Sequence, residues 1–466
     1  MTQVIGPLDR RIARRKRCDR CVERRIKCVG GPPCLNCSRT SRICRTTIKG
    51  EPTALVFVHE TQTNYSDNVR IHGKGTTTIL PRQVSLIQDD NYRAYFFTSF
   101  LSQNEFAGIS PQFRGSLSSL VHKSPELNDA INAISALHIT QNVELASVAE
   151  DYHAALLAYS RSVRCLQAKI ESKAIVRDPS AMWTTLLLGV FELMRDATGT
   201  NWLAHFLHGT STMLCLQGPR MLMVSGKENE HHQTFFLSAR IFEISRALIY
   251  TEPTFLAAPK WSAATEAYWI QNPLAWTPKE ALFDMLSQFV DLAIRTLSFA
   301  TEPQSVPQHE QYTTALSLAQ EGLDLESALS TWYIAFSSWA PGDANKPDCE
   351  AETRMAQVYY YTISIYLDGI FSYHAPFTIP SAPACPTLDR IVVESYVDSI
   401  LALSQSLLAG GCAGILLFFP LRVAGARAWD FRTRMDILRI LNVIVQRGFA
   451  VAQSFVDDLS DLWGLQ

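Results

Sequence analysis

The chain has 466 residues, of which 47% are hydrophobic and 18% are charged. This composition predicts that most of the chain buries a hydrophobic core, over a length sufficient for two or three domains. The longest apolar runs, at 183–194 and 413–419, are shorter than the roughly 20 residues that a membrane-spanning helix needs, so we expect buried core helices there. No apolar stretch typical of a secretory signal accompanies the basic N-terminus, and we therefore expect an intracellular, reducing compartment.

The charge is unevenly distributed along the chain. The net charge is −2, but the first 49 residues carry 14 Lys and Arg against three acidic residues, an excess of 11 positive charges. The rest of the chain is acidic, with a net charge of −13. A basic segment attached to an acidic body is typical of a nucleic-acid contact carried by another domain.

Six of the 11 cysteines follow the spacing C-x2-C-x6-C-x5-C-x2-C-x6-C, namely Cys18, Cys21, Cys28, Cys34, Cys37 and Cys44. In a reducing compartment this pattern favours metal binding over disulfides, and each C-x2-C pair places two thiolates within reach of a tetrahedral zinc. Two zinc ions need about eight ligand positions, so six thiolates suffice only if two of them bridge both metals. The spacing predicts a binuclear zinc cluster with two Zn(II). Because so short a segment has little apolar surface, its fold should depend on the metal.

This segment resembles the DNA-binding domain of the fungal binuclear zinc cluster transcription factors. The two cysteine triplets and the proline-containing loop VGGPP at 29–33 match that family's pattern without a gap. The resemblance implies that Cys18 and Cys34 bridge the metals. Cys21 and Cys28 then complete one zinc site, and the other is completed by Cys37 and Cys44.

The resemblance also implies which side chains contact DNA. The segment VERRIK at 22–27 would form a short helix in the major groove, where Arg25 reads guanine in a CGG-like triplet. Arg24 would contribute to both base and phosphate contacts, and Lys27 would support them. The other predicted DNA contacts are Arg15, Lys16, Arg17, Arg20, Arg39 and Arg42. The chain departs from the family at Val22 and Glu23, where many members have a basic residue after the second cysteine.

The basic run RRIARRKR at 10–17 has two compatible interpretations. It could lie along the DNA backbone or in the minor groove, and it also matches a nuclear localisation signal. A solvated import signal without any DNA contact is the alternative. All of these interpretations predict a nuclear protein.

The domain organisation follows from the change in composition after the cluster. We predict a basic arm and zinc cluster DNA-binding domain at 1–49, a linker at 50–90, and an all-α regulatory domain at 91–466 whose length also allows two lobes. No heptad repeat precedes residue 90, so the chain either binds DNA as a monomer or forms a homodimer through its helical domain. The predicted fold class is thus a small metal-stabilised N-terminal binuclear zinc cluster plus a large all-α domain.

Two helices of the body can be predicted individually. Ser124 and Pro125 are typical of a helix start, and apolar residues at 127, 131, 134 and 137 follow on one face. The second helix carries an apolar stripe that we expect to pack against a neighbouring helix rather than to form a dimer seam. The stripe comprises Tyr152, Leu156, Tyr159, Val163, Leu166 and Ile170.

Three segments of the body resemble the fungal-specific regulatory domain of these transcription factors. They are NWLAHFLHGTSTMLCLQGP at 201–219, ALIYTEPTFLAAPKW at 247–261 and FPLRVAGARAW at 419–429. Enzymatic function has no support, because no common catalytic motif occurs and the His205/His208 pair lacks a third ligand. The C-terminal segment SFVDDLSDLWGLQ at 454–466 fits either an acidic activation segment or an amphipathic helix docked on the body.

The sequence therefore predicts a nuclear, zinc-dependent, sequence-specific regulator of RNA polymerase II genes. Its expected partners are double-stranded DNA and the transcription machinery or co-regulators, and no membrane. The alternative is a zinc-cluster interaction protein or co-repressor that binds protein rather than bases. A redox thiol switch is a third interpretation of the six clustered cysteines.

Overall fold

The structure is a computed structural model, and it describes residues 82–105, 111–142, 148–172, 175, 178–198, 208–223, 227–273, 276–301, 308–339 and 347–465. All of these residues belong to one structural unit. The predicted zinc cluster and linker, residues 1–49 and most of 50–90, lie outside them.

The described residues form helices and no β-strand, which confirms the prediction of a large all-α domain. The first nine helices are α1 (Arg82–Tyr95), α2 (Leu101–Gln103), α3 (Pro111–Val121), α4 (Pro125–Asn142), α5 (Val148–Glu171), α6 (Pro179–Arg195), α7 (His208–Gln217), α8 (Arg220–Met223) and α9 (Lys227–Tyr250). The next nine are α10 (Pro259–Gln271), α11 (Pro278–Thr301), α12 (Gln308–Ser338), α13 (Pro347–Phe371), α14 (Ala375–Thr378), α15 (Arg390–Ala409), α16 (Phe418–Ala426), α17 (Phe431–Gln446) and α18 (Ala452–Trp463). Short π- or 3-10 segments lie at Phe96–Phe100, Phe255–Ala257 and Gly414–Leu417.

The helices pack in two groups. In the first, α1, α5 and α6 surround α4, and in the second α11, α15 and α16 pack on α13. Helix α9 contacts α6 of the first group and α11 of the second. A backbone hydrogen bond from Val451 N to Leu193 O, 3.0 Å long, joins α6 to the segment between α17 and α18.

Helix α4 begins where the sequence predicts. The Leu127 amide donates to Ser124 Oγ at 3.3 Å, so Ser124 caps the helix while Pro125 occupies its first turn. The predicted apolar face at 127, 131, 134 and 137 is buried. Residues 130–138 are buried on every side of the helix, however, because three neighbouring helices enclose it.

The apolar stripe predicted on α5 packs against neighbouring helices, as expected, but it does not form the whole buried face. Helix α5 packs on α4 and α6, Leu166 is buried, and the Tyr159 ring stacks on Phe191 of α6 with centroids 4.7 Å apart. Ala155, Ala158 and Ser162 are buried as well, whereas Tyr152 of the stripe is 39% exposed. Ser162 Oγ donates to the Glu126 carbonyl of α4 at 2.7 Å. Small residues allow the two backbones to approach closely, so they share the buried face with Leu166.

Both long apolar runs are buried, as predicted. The run at 183–194 lies in α6, the most completely buried helix of the first group. The run at 413–419 is buried too, but its first half is a 3-10 turn and the α-helix begins only at Phe418. Pro420 explains the difference, because proline is tolerated in the first turn of an α-helix and not in its interior.

The C-terminal segment is a docked amphipathic helix. Phe455 and Leu459 of α18 are buried, and the Phe455 ring stacks on Phe418 with centroids 4.4 Å apart. Trp463 Nε1 donates to the Gly425 carbonyl at 3.0 Å. A Cβ atom at Gly425 would lie 2.6 Å from the end of the Leu459 side chain, so a larger residue there would displace Leu459. The docked-helix interpretation of this segment is confirmed.

One helix in the described part of the chain, α15, is long and apolar enough to cross a membrane by length and composition. Its apolar residues include Val393, Val397 and Ile400, which are buried, and it packs against α13 and α17. Exposed charges such as the Arg390–Glu394 pair lie on the helix as well. The apolar composition of α15 is therefore explained by its packing in the domain core.

Candidate functional site

The predicted zinc ligands and DNA contacts all lie outside the described residues, and so does His205. Within the described ranges, no group of three or more His, Cys, Asp or Glu side chains could hold a metal ion. Among the cysteine side chains that the structure describes, Cys165, Cys215, Cys385 and Cys412 are free thiols. The described structure offers a different kind of candidate site, built around a buried arginine.

Arg240 is held in the core by two carboxylates of the same neighbouring helix. It lies on α9 with only 2% of its side chain exposed, and it donates to Glu280 Oε2 and Asp284 Oδ1 of α11. Glu280 and Asp284 are four residues apart and so lie on one face of α11. The second carboxylate oxygen of Asp284 accepts a hydrogen bond from Trp269 Nε1 at 2.8 Å.

The charged cluster extends to Lys279, which is also buried. Its ammonium pairs with Glu280 at 2.8 Å and with Glu352 of α13 at 2.9 Å. Burial alone would raise the pKa of Glu280, but Lys279 and Arg240 outweigh it and lower the pKa, so Glu280 is ionised. Burial raises the pKa of Asp284 despite the opposing effect of Arg240. The buried cluster thus contains two cationic side chains, Arg240 and Lys279, and three carboxylates, Glu280, Asp284 and Glu352.

A cavity of about 700 Å³ adjoins Arg240 and Asp284. Its walls come from α9, α10, α11 and α12, with the loop residue Trp276 at the edge. Trp276 is 41% exposed and Ile270 is 74% exposed, so the cavity opens to solvent beside them. Its volume falls within the range of roughly 300–1,000 Å³ that is usual for small-molecule sites.

Aromatic rings surround the guanidinium at the cavity wall. The Arg240 Cζ atom lies 5.8 Å from the ring centroids of Trp269 and Phe283, and 5.9 Å from that of Phe236. The Arg240 Nε atom is buried and has no hydrogen-bond acceptor. The cavity wall therefore combines flat apolar rings with a few charged side chains, which is the usual composition of a ligand pocket.

A second buried ion pair anchors the segment after α9. Arg246 donates from Nη2 to Glu243 Oε1 at 2.8 Å and to the Pro253 carbonyl at 3.0 Å. Thr254 Oγ1 donates to the same Glu243 oxygen at 2.8 Å. These bonds hold the 3-10 turn Phe255–Ala257 against α9, and Leu256 of this turn lines the cavity.

A model of the fungal specific transcription factor domain matches residues 88–463. The chain belongs to this family. No significant match was found among curated proteins or among solved structures. The fungal-specific transcription factor domain makes the chain a transcription regulator, of a family that is not typically enzymatic and that generally acts in the nucleus.

The segments that resemble this family in the sequence have structural roles in the fungal-specific transcription factor domain. The segment at 247–261 contains the 3-10 turn Phe255–Ala257, which the hydrogen bonds of Arg246 and Glu243 hold against α9. The segment at 419–429 contains Arg427, which donates to Asp368 of α13 at 2.8 Å, with both side chains at most 5% exposed. The third segment, at 201–219, is described only from residue 208, where α7 begins.

Sequence reasoning did not find the cavity of the fungal-specific transcription factor domain. Its charged residues come from α9, α10 and α11, and only their packing brings them together. One signal was available: Arg240, Glu243 and Arg246 recur at intervals of three in the otherwise apolar segment 235–250. Charges spaced in this way within an apolar helix indicate buried ion pairs, since unpaired charges are rarely buried.

Proposed function

We propose that this chain is a zinc-dependent, sequence-specific DNA-binding transcription factor that regulates RNA polymerase II genes from CGG-like sites. The observation that carries the proposal is the presence of both parts on one chain. The six-cysteine pattern at 18–44 precedes a fungal-specific transcription factor domain at 88–463. The domains are then a zinc cluster DNA-binding domain at 1–49, a linker at 50–90 and the helical regulatory domain at 91–466.

The donor set at 18–44 fits two zinc ions. Six thiolates of the type that tetrahedral zinc prefers are available, with Cys18 and Cys34 in the bridging positions. Two Zn(II) and six thiolates carry a net charge of about −2, which the 14 basic residues of the N-terminal segment more than offset. The zinc supplies the cross-links that a segment of this length cannot obtain from a hydrophobic core.

The basic residues have separate roles in this proposal. Arg25 reads guanine, Arg24 and Lys27 fix the register, and the run at 10–17 supplies sequence-independent affinity and nuclear import. The protein acts in the nucleus with double-stranded DNA and the transcription machinery or co-regulators as partners. The chain would bind DNA as a monomer or as a homodimer formed through the helical domain, because no heptad repeat lies in the linker.

Arg25→Ala is expected to relax base preference in the CGG-like triplet. Loss of a bidentate arginine–guanine pair removes about 1–3 kcal/mol of discrimination against the wrong base. The measurement compares the affinity of the full-length chain for matched and mismatched duplexes at one fixed salt concentration.

The matched control changes Arg15, Lys16 and Arg17 to alanine. These changes should weaken binding equally for all duplexes and reduce the slope of log affinity against log salt by about 0.9 for each lost phosphate contact. Unchanged discrimination in Arg25→Ala would show that another residue reads the base. A wild-type chain that discriminates no duplex from another would favour the alternative, a zinc-cluster co-repressor that binds protein.

A further inference from the structure

The cavity between α9, α10, α11 and α12 has a charge that limits what it can bind. Among its described lining residues, Glu266 and Asp284 are acidic and Arg240 is the single cation. Arg240 is already paired with Glu280 and Asp284, so an incoming anion would have to compete with two carboxylates that are fixed in place. The wall therefore favours a cation over an anion.

Two carboxylates are placed to receive that cation. Glu266 is exposed on α10, and no ion pair with it occurs in the described structure. Asp284 lines the cavity with 30% of its side chain accessible, although both of its oxygens already accept hydrogen bonds from Arg240 and Trp269. A carboxylate oxygen has two lone pairs, so Asp284 retains acceptor capacity toward the cavity.

The rings of the wall select the rest of the ligand. Phe236, Trp269, Trp276 and Phe283 all line the cavity and present flat apolar surface. Such rings favour an aromatic or other ring-containing body, and they also attract a cation placed over their faces.

We propose that this cavity binds a ring-containing small molecule that carries a protonated amine. The apolar body lies between the aromatic side chains, and the amine pairs with Glu266 and Asp284 at the acidic wall. This site goes beyond DNA recognition and does not depend on it, since all of its residues lie in the helical domain. Ligand binding to this cavity can therefore be measured without DNA.

Three fluorescent probes that share one ring system test the charge preference. They are 1-pyrenebutylamine, 1-pyrenebutanol and 1-pyrenebutyrate, which differ in carrying a positive, neutral or negative group. We expect the full-length chain to bind the amine at least about tenfold more tightly than the butyrate, with the alcohol between them. Equal affinities, a preference for the butyrate, or no binding of the amine would overturn the proposal.

The variant Ala328→Trp tests whether the probe binds in this cavity. Ala328 lines the cavity on α12, so a tryptophan there should occupy the space and weaken amine binding at least about tenfold. The matched control is Ala335→Trp, on an exposed position two turns further along the same helix and outside the cavity lining. The helical circular dichroism and melting temperature of both variants report whether the fold is intact. If both variants bind the amine like the wild type, the probe binds elsewhere and the proposal is wrong.

Glu266→Gln and Asp284→Asn test the two carboxylates. Each should reduce the preference for the amine over the alcohol by about three- to tenfold, because each removes one charge near the ammonium. Alcohol binding should stay the same in Glu266→Gln, since Glu266 makes no ion pair in the described structure, and in Asp284→Asn it reports whether the Trp269 wall is retained. Glu310→Gln, an exposed change on α12 away from the cavity, is the control. An unaltered amine preference in both cavity variants would contradict the assigned role of these carboxylates.

Discussion

Arg240→Met is expected to lower the free energy of unfolding by about 3–5 kcal/mol, because it leaves buried carboxylates without their cation. Glu280 and Asp284 both pair with Arg240, and Lys279 alone then compensates Glu280 while it also pairs with Glu352. Methionine preserves much of the apolar volume of the arginine side chain. The loss of stability therefore measures the removal of the positive charge rather than the creation of a cavity. Denaturant-induced unfolding of the wild type and the variant measures the difference.

Arg295→Met is the matched control for this prediction. Arg295 also pairs with two carboxylates, Asp291 and Glu321, but all three side chains are between 40% and 57% exposed. Exposed ion pairs contribute about 0–1 kcal/mol, so this variant should unfold almost like the wild type. If Arg240→Met cost no more than Arg295→Met, the buried cluster would not hold α9 against α11.

Cys34→Ser is expected to abolish specific DNA binding. Cys34 stands in a bridging position of the proposed cluster, so its loss removes a ligand from both zinc ions at once. Zinc binding supplies about 10–16 kcal/mol in small zinc modules and is inseparable from their folding. The affinity for a selected duplex should fall at least about a thousandfold, to the level of non-specific binding.

The same variant is also expected to lose bound zinc, which elemental analysis of the purified chain measures. Cys165→Ser is the matched control, since Cys165 is an exposed free thiol of α5 in the helical domain. It should keep two zincs per chain and full DNA affinity. A Cys34→Ser chain that still held two zincs and bound its duplex normally would contradict the bridging assignment.

Local signals in the sequence predicted much of the helical domain. Ser124 and Pro125 predicted the start of α4 because capping depends on a few neighbouring residues, and the structure places the cap there. The C-terminal helix was equally accessible, since Phe455, Leu459 and Trp463 recur at the spacing of one helix face. In both cases the sequence signal lies within one helix, although α18 docks on α16 through contacts that are distant in sequence.

The sequence was incomplete where the partner helix decides the outcome. On α5 the stripe correctly predicted packing against a neighbouring helix, but it missed Ala155, Ala158 and Ser162, which are also buried because a close helix pair needs small side chains. The apolar run at 413–419 was predicted as one helix, and Pro420 in the first turn of α16 divides it. Side-chain size and backbone constraint outweighed hydrophobicity at these two places.

The two candidate sites differ in how far sequence alone can specify them. The proposed zinc ligands at 18–44 carry their chemistry in their spacing, so their prediction needed no tertiary structure. The cavity depends on Arg240, Trp269 and Asp284, which come from three helices and only approach one another after packing. A pattern confined to one segment could not have indicated it.

Selection from a pool of random duplexes tests the proposed function most directly. The full-length chain, loaded with two zincs, is incubated with the pool at fixed salt, and the bound duplexes are sequenced. We predict enrichment of a common CGG-like triplet, and its loss when zinc is removed with a chelator. If no common triplet is enriched while both zincs are bound, the chain is not a sequence-specific DNA-binding protein.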